Sequence, residues 1–385
     1  MRSSRRGNVD PFIVMDVMEA ARAREAAGHR VIHMEVGQPG SAAPEPARTA
    51  LAEALSHDPM GYTVALGIPA LRARIAQLYG EWYNVDLDPA RVVVTSGSSG
   101  GFVLAFSALF DAGDRVALGR PGYPSYRQIL KAMDLQPVEV ETTLENRYQP
   151  VPGDLDGVDY EGLLIASPGN PTGTMLDKPA LSALHDAASA RGAAFLSDEI
   201  YHGIEYDKPA VTALEISDDV VVINSFSKYF SMTGWRVGWL VVPDELVRQV
   251  ERLAQNMFIC APHVSQLAAL AAIDAREETE ANLAVYSRNR DLMWEGLRTA
   301  GFDRIAPPDG AFYFYADVSH ITQDSVSFAR EILEEAGVAV TPGLDFDPVR
   351  GGGTLRFSYA RGTDDIEEGL ARLHAFMKRR GLAQG

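Results

Sequence analysis

Five apolar runs in this sequence are each followed at once by residues that could do chemistry. After "RVVVT" (91–95) comes "SGSSGG", in which Ser98 and Ser99 stand among small residues able to open a helix and present free backbone N–H groups to a phosphate. "RVALG" (115–119) is followed by "PGYPSY", which places Tyr123 in a turn stiffened by proline. "GLLIAS" (162–167) leads into "PGNPTG", with Asn170 between two prolines, and "AAFLS" (193–197) into "DEIY", with Asp198 and Tyr201 three residues apart. "VVVIN" (220–224) leads into "SFSK", carrying Ser225, Ser227 and Lys228, with Arg236 eight positions after the lysine. Singly, each has a plain structural explanation: a loop serine, a turn amide, a helix-capping acid, core phenols, a solvated lysine. Five separate loops supplying phosphate donors, a flat ring, an amide, an acid, a phenol and an amine are harder to assign to chance.

These groups converge only if the runs are parallel strands, because ligands of an open parallel sheet bind outside the carboxyl ends of its strands. The pattern supports this. With "PVEVE" (137–141) and "GWLVV" (238–242) there are seven short apolar runs alternating with amphipathic stretches, which predicts an α/β fold: a large domain with a seven-stranded, mostly parallel sheet flanked by helices. "GWLVV" follows its predecessor closely enough to be antiparallel. A long helical pattern from about 263 to 300, ending at Gly301, leads to strands at 310–318 and 354–360 and helices near 324–336 and after Thr363. These form a smaller α+β domain. The expected organisation is an N-terminal segment over 1–40, with a helix at 11–27, packing with the small domain; a large domain over 41–290; and a small domain over 291–385.

The bulk properties restrict the function classes. At 385 residues, 46% apolar and 23% charged, the chain can bury a sizeable core. A net charge of -17 and the lack of a basic patch argue against nucleic acid and anionic membranes as partners. No apolar run is long enough for a spanning helix, and the single cysteine, Cys260, suits a reducing, cytoplasmic setting. The eight histidines are scattered, so no metal site is expected.

The convergent set is what pyridoxal phosphate chemistry requires. A lysine amine condenses with the aldehyde, an acid beside the pyridine nitrogen strengthens the ring as an electron sink, and a phenol and an amide near the ring hydroxyl tune the lysine. "SFSKYFSMTGWRVGW", "SPGNPTG", "DEIY" and "GQP" stand in the order found in class I/II aminotransferases, and the chain resembles that fold-type I, aspartate-aminotransferase-like family along nearly its whole length. The resemblance implies that Lys228 carries the Schiff base and moves protons, that Asp198 pairs with the pyridine nitrogen, and that Tyr201 and Asn170 bond the ring oxygen. It implies Tyr123 stacked on the ring, and Ser98, Ser99, Ser225 and Arg236 on the phosphate, with Ser227 a weaker candidate. Arg356 in "LRFSYA" would clamp the substrate α-carboxylate, assisted by the Gly37 N–H and by Asn170. Tyr62 would reach the phosphate of a second copy, making a homodimer with shared sites. The small-molecule partners implied are an amino acid and a 2-oxo acid. Ser99 stands where some acid-specific relatives carry a lysine, which points to a neutral or apolar L-amino acid with 2-oxoglutarate or pyruvate as acceptor. Loss of a group from Cβ, as in the C–S lyases of the same family, or a non-catalytic regulatory role are the other outcomes.

Overall fold

The computed structural model describes residues 1–383. Seven strands form the large sheet: β2 (Val92–Thr95), β3 (Arg115–Arg120), β4 (Gln136–Glu141), β5 (Gly162–Ala166), β6 (Ala194–Asp198), β7 (Val221–Ser225) and β8 (Gly238–Val241), in spatial order β2-β8-β7-β6-β5-β3-β4. All pairings are parallel except those of β8, which runs antiparallel to both β2 and β7. Each strand lies within a residue or two of the apolar run that predicts it. Val92 and Val94, Leu163 and Ile165, and Val222 pack on one face, while Val93, Leu164, Val221 and Ile223 pack on the other. The runs are continuous because helices cover both faces and every residue of such a strand is buried. The register pairs Ala166 with Asp198 and Asp198 with Ile223, so the parallel strands end along one edge, and antiparallel β8 starts there with Gly238 opposite both Thr95 and Ser225.

Helix α1 (Ile13–Ala26) precedes β1 (Ile32–His33), which pairs in parallel with β11 (Val338–Ala339). A four-stranded antiparallel sheet takes the order β12-β13-β10-β9, built from β9 (Arg304–Ile305), β10 (Tyr313–Asp317), β12 (Thr341–Pro342) and β13 (Thr354–Ser358). Its inner face is continuous with the core beneath the large sheet, through Phe312, Phe314, Leu355 and Phe357. Helices α2 (Glu45–Ala54), α3 (Pro69–Tyr83), α4 (Gly97–Leu109), α5 (Pro124–Ala132) and α6 (Lys178–Ser189) lie between the strands from β1 to β6, and α7 (Asp244–Met257) follows β8.

Two details of the helical reading need correction. The pattern from 263 to 300 is two helices, α8 (His263–Ala272) and α9 (Arg276–Thr299), because the chain turns at 273–275 so that α8 packs on α2 and α9 on α11 (Thr363–Arg379). Neither glycine nor proline marks the break. Thr363 is the first residue of α11 and no cap: Gly362 holds that position, and Asp364 and Asp365 in the first turn with Lys378 and Arg379 in the last complement the helix dipole. The helix near 324–336 is α10 (Ser325–Glu331) continuing as a wider turn over Ile332–Ala336.

Candidate active site

At the carboxyl edge of the large sheet lies a cavity of about 190 Å³. Ser98 and Ser99, in the first turn of α4, line it, as do Tyr123, Asn170, Asp198, Tyr201, Ser227, Lys228, Arg236, Gly37 and Arg356. The groups from five loops and from the small sheet therefore meet in one place.

Lys228 donates from Nζ to the Gly37 carbonyl at 2.6 Å. Burial, helped by repulsion from the Arg356 and Arg236 guanidiniums and opposed by Asp198, holds its amine down to about 7. A lysine so poised is substantially uncharged near neutral pH and can act as a nucleophile or base. Asp198, at the end of β6, is pushed the other way: burial raises its carboxyl to about 7, while bonds from Tyr126 and the Ile200 N–H and the charge of Lys228 hold it down. The Tyr201 and Tyr313 hydroxyls bond each other at 2.7 Å, and burial keeps both phenols protonated.

Arg356 crosses from β13 and donates to Asn170 Oδ1 at 2.9 Å, to Thr341 Oγ1 at 3.3 Å and to the Glu35 carbonyl, all uncharged oxygens. Its Nε is buried without a partner, and its guanidinium lies 4.4 Å from the Tyr313 ring centroid and 4.7 Å from that of Phe346. Because Asn170 turns its oxygen to Arg356, its NH2 group is left for another acceptor.

The first turn of α4 and Arg236 form a cradle. Gly97 has φ +70°, and a Cβ there would stand 2.3 Å from Arg236 Nη2, so only glycine lets the guanidinium approach the helix N-terminus. The main-chain N–H groups, the Ser98, Ser99 and Ser227 hydroxyls and Arg236 are the donors expected around a phosphate dianion, and Asp198 opposite suits a protonated pyridine nitrogen. The donor set thus fits pyridoxal phosphate, with Lys228 within the same cavity.

Two predicted positions fall elsewhere. Ser225 does not line the cavity: its hydroxyl accepts from the Ser227 N–H at 3.1 Å and lies 2.8 Å from Ser227 Oγ and 3.1 Å from the Val237 carbonyl, so it orients Ser227, which lines the site. Tyr62 is 83% exposed and outside the cavity. Sequence reasoning missed Tyr126, although it follows Tyr123 at helical spacing on α5, and Tyr313, which nothing in "GAFYFYADV" distinguishes from its neighbours. It also missed the part of α1, whose Phe12, Val14 and Met15 line the cavity.

The family model of aminotransferase class I and II matches residues 29–373. The chain belongs to that family. This aminotransferase is 47% identical to the valine–pyruvate aminotransferase of Mycobacterium tuberculosis over 382 residues, 98% of each chain. A crystal structure from Silicibacter pomeroyi is 68% identical, covering 99% of this chain and 100% of that one at a TM-score of 0.95. The aspartate aminotransferase of Thermus thermophilus with maleate is 30% identical at a TM-score of 0.90, covering 97% and 100%. The aminotransferase is therefore an enzyme of the pyridoxal-phosphate-dependent kind, with the fold-type I sheet described above.

Proposed function

We propose that this aminotransferase transfers the amino group of a neutral or apolar L-amino acid to pyruvate or 2-oxoglutarate in two half-reactions. The observation that carries the reading is the distribution of cations around the cavity. Among the lining residues only Lys228, Arg236 and Arg356 are basic. Arg236 belongs to the phosphate cradle, Lys228 to the reacting centre, and Arg356, bonded to neutral oxygens alone, is left for one carboxylate. A second carboxylate, on the donor or on 2-oxoglutarate as acceptor, finds no further cation among the residues lining the cavity, which favours pyruvate over 2-oxoglutarate, and Phe12, Val14, Met15 and Val36 offer an apolar wall. The name of the Mycobacterium tuberculosis relative, a valine–pyruvate aminotransferase, agrees with an apolar donor and a monocarboxylate acceptor.

Pyridoxal phosphate would be held by Ser98, Ser99, Ser227 and Arg236 at its phosphate and by Asp198 at its ring nitrogen, and would supply an aldehyde and an electron-withdrawing ring. The chain's own residues do the rest. Arg356 binds the α-carboxylate as a bidentate pair and fixes Cα near Lys228. The Lys228 amine takes the proton from Cα, a role suited to an amine held near 7. Tyr123 would cover the ring, and Asn170 and Tyr201, both lining the cavity, would bond its oxygen. The exposed Tyr62 completes the phosphate site of a second copy in a homodimer.

The test is to add single L-amino acids, without any oxo acid, to the cofactor-loaded protein and measure products. One equivalent of the matching 2-oxo acid per site, from valine or a similar donor and not from aspartate, is expected. Continued release of ammonia and pyruvate would instead mean elimination at Cβ and would overturn the proposal.

A further inference from the structure

Helix α1 forms one wall of the cavity yet has no cap of its own, since Phe12 occupies the cap position and has no acceptor. Its first two amides, Ile13 N–H and Val14 N–H, donate to Asp345 Oδ1 at 3.0 Å and Oδ2 at 3.2 Å, from a residue more than three hundred positions away in the chain. Asp345 is buried. It closes the short turn Gly343–Asp345, and the next residue, Phe346, places its ring against the Arg356 guanidinium. The carbonyls of Asp345 and Phe346 both accept from Arg127, which adjoins Tyr126 on α5. The other ties near this first turn are an edge-on contact of Phe12 with the Tyr123 ring and the exposed bonds of Asp10 to Gln128 and Lys131; the far end of α1 is held separately, by Ala21 in a small core with Val31, Leu333 and Ala339.

Two consecutive residues therefore join the carboxylate clamp to the apolar wall. Phe346 touches the clamp and Asp345 holds the wall. Burial raises the Asp345 carboxyl, and the two α1 amides, Arg356 and Arg127 oppose that rise, all of them favouring the carboxylate that a helix N-terminus accepts.

We infer that Asp345 is a positioning residue for donor specificity: by fixing the first turn of α1 relative to Arg356 it sets the space between the α-carboxylate and Phe12, Val14 and Met15, and so the aliphatic side chains that fit. The inference rests on the apolar-donor reading above. A cap lost from α1 leaves the buried Val14 amide and the half-buried Ile13 amide without acceptors, and the wall shifts or loosens while the phosphate cradle, built from other elements, stays in place.

The test uses cofactor-loaded Asp345→Asn and Asp345→Ala proteins, with kcat and KM for L-valine and L-alanine, the cofactor Kd and the melting temperature. The valine-to-alanine ratio of kcat/KM is expected to fall about tenfold in Asp345→Ala, carried by the KM for valine, and less in Asp345→Asn, which keeps one acceptor. The cofactor Kd should not move. An unchanged ratio, an equal loss for both donors, or a loss carried by kcat alone would overturn the inference. Should Asp345→Ala fail to fold, Asp345→Asn still decides it. If the wild type turns over no apolar donor, the donor-class reading fails by itself, and the ratio between short and long members of the donor series it does use then tests Asp345.

Discussion

Replacing Arg356 with glutamine should separate carboxylate recognition from the rest of the chemistry. Arg356 is 3% exposed, makes three bonds to neutral oxygens and leaves Nε without a partner, so a guanidinium is held ready in a place water barely reaches. A carboxylate arriving there forms a desolvated, charge-assisted pair. Truncating one side of such a pair costs about 2–5 kcal/mol, which is roughly 30-fold to several thousand-fold in kcat/KM. Glutamine keeps a donor for Asn170 or Glu35 and removes the charge, so the apoprotein should lose little stability, because a buried ion without a counter-ion contributes weakly to folding. The assay compares L-valine with isobutylamine, the same skeleton without its carboxylate. The wild type should prefer the amino acid by the factor above, and in Arg356→Gln the preference should collapse because valine falls to the level of the amine, with the cofactor Kd within a few-fold of the wild type. If Arg356→Gln slowed the amine as much as valine, Arg356 would be acting through Asn170 or the cavity shape, and the carboxylate assignment would be refuted.

Tyr126→Phe removes one hydrogen bond to the buried Asp198 carboxylate while keeping the ring contacts with Phe102 and Tyr123. A bond to a charged group is worth about 1.5–3 kcal/mol, so the Asp198 carboxyl should titrate about one to two units above its position near 7, read from its infrared band with Asp198→Asn as the control; an unmoved band refutes the role. The cofactor-free protein should show opposed pH effects from Asp198 and Lys228. Asp198, raised from 3.8 to about 7, contributes stability at low pH that is lost as pH rises through 7, whereas Lys228, lowered from 10.5 to about 7, contributes stability at high pH that is lost as pH falls through 7. In urea titrations Lys228→Ala should therefore abolish the rise above pH 7 and spare the fall below it. Gly97→Ala strains a residue at φ +70°, by about 1–2 kcal/mol, and drives a methyl onto Arg236, so cofactor affinity should drop by an order of magnitude or more in a fluorescence titration. Unchanged affinity would mean that Arg236 does not face the phosphate.

Much of this enzyme is legible in one dimension because its strands are buried on both faces and its reacting groups follow them directly. "GLLIAS" must be covered on both sides, and "DEIY" must then emerge at the carboxyl edge. The strand runs, the antiparallel "GWLVV" and the meeting of Ser98, Tyr123, Asn170, Asp198, Tyr201 and Lys228 all follow from that order. The roles of single side chains within a motif do not. Ser225 and Ser227 are two residues apart on the same loop, and only the turn after β7 decides that Ser225 supports and Ser227 faces the cavity.

The sequence by itself determined the fold class and the set of reacting groups that meet at one edge, since periodicity and the residues after each strand are local properties. Tertiary structure alone decided what depends on distant contacts: the break in the helical stretch at 273–275, the Tyr126 bond to Asp198, the Tyr313 ring beneath Arg356, and the seating of α1 on Asp345. The physical reason is that hydrophobic periodicity reports whether a residue is buried and carries no record of which partner, hundreds of residues away, it is buried against.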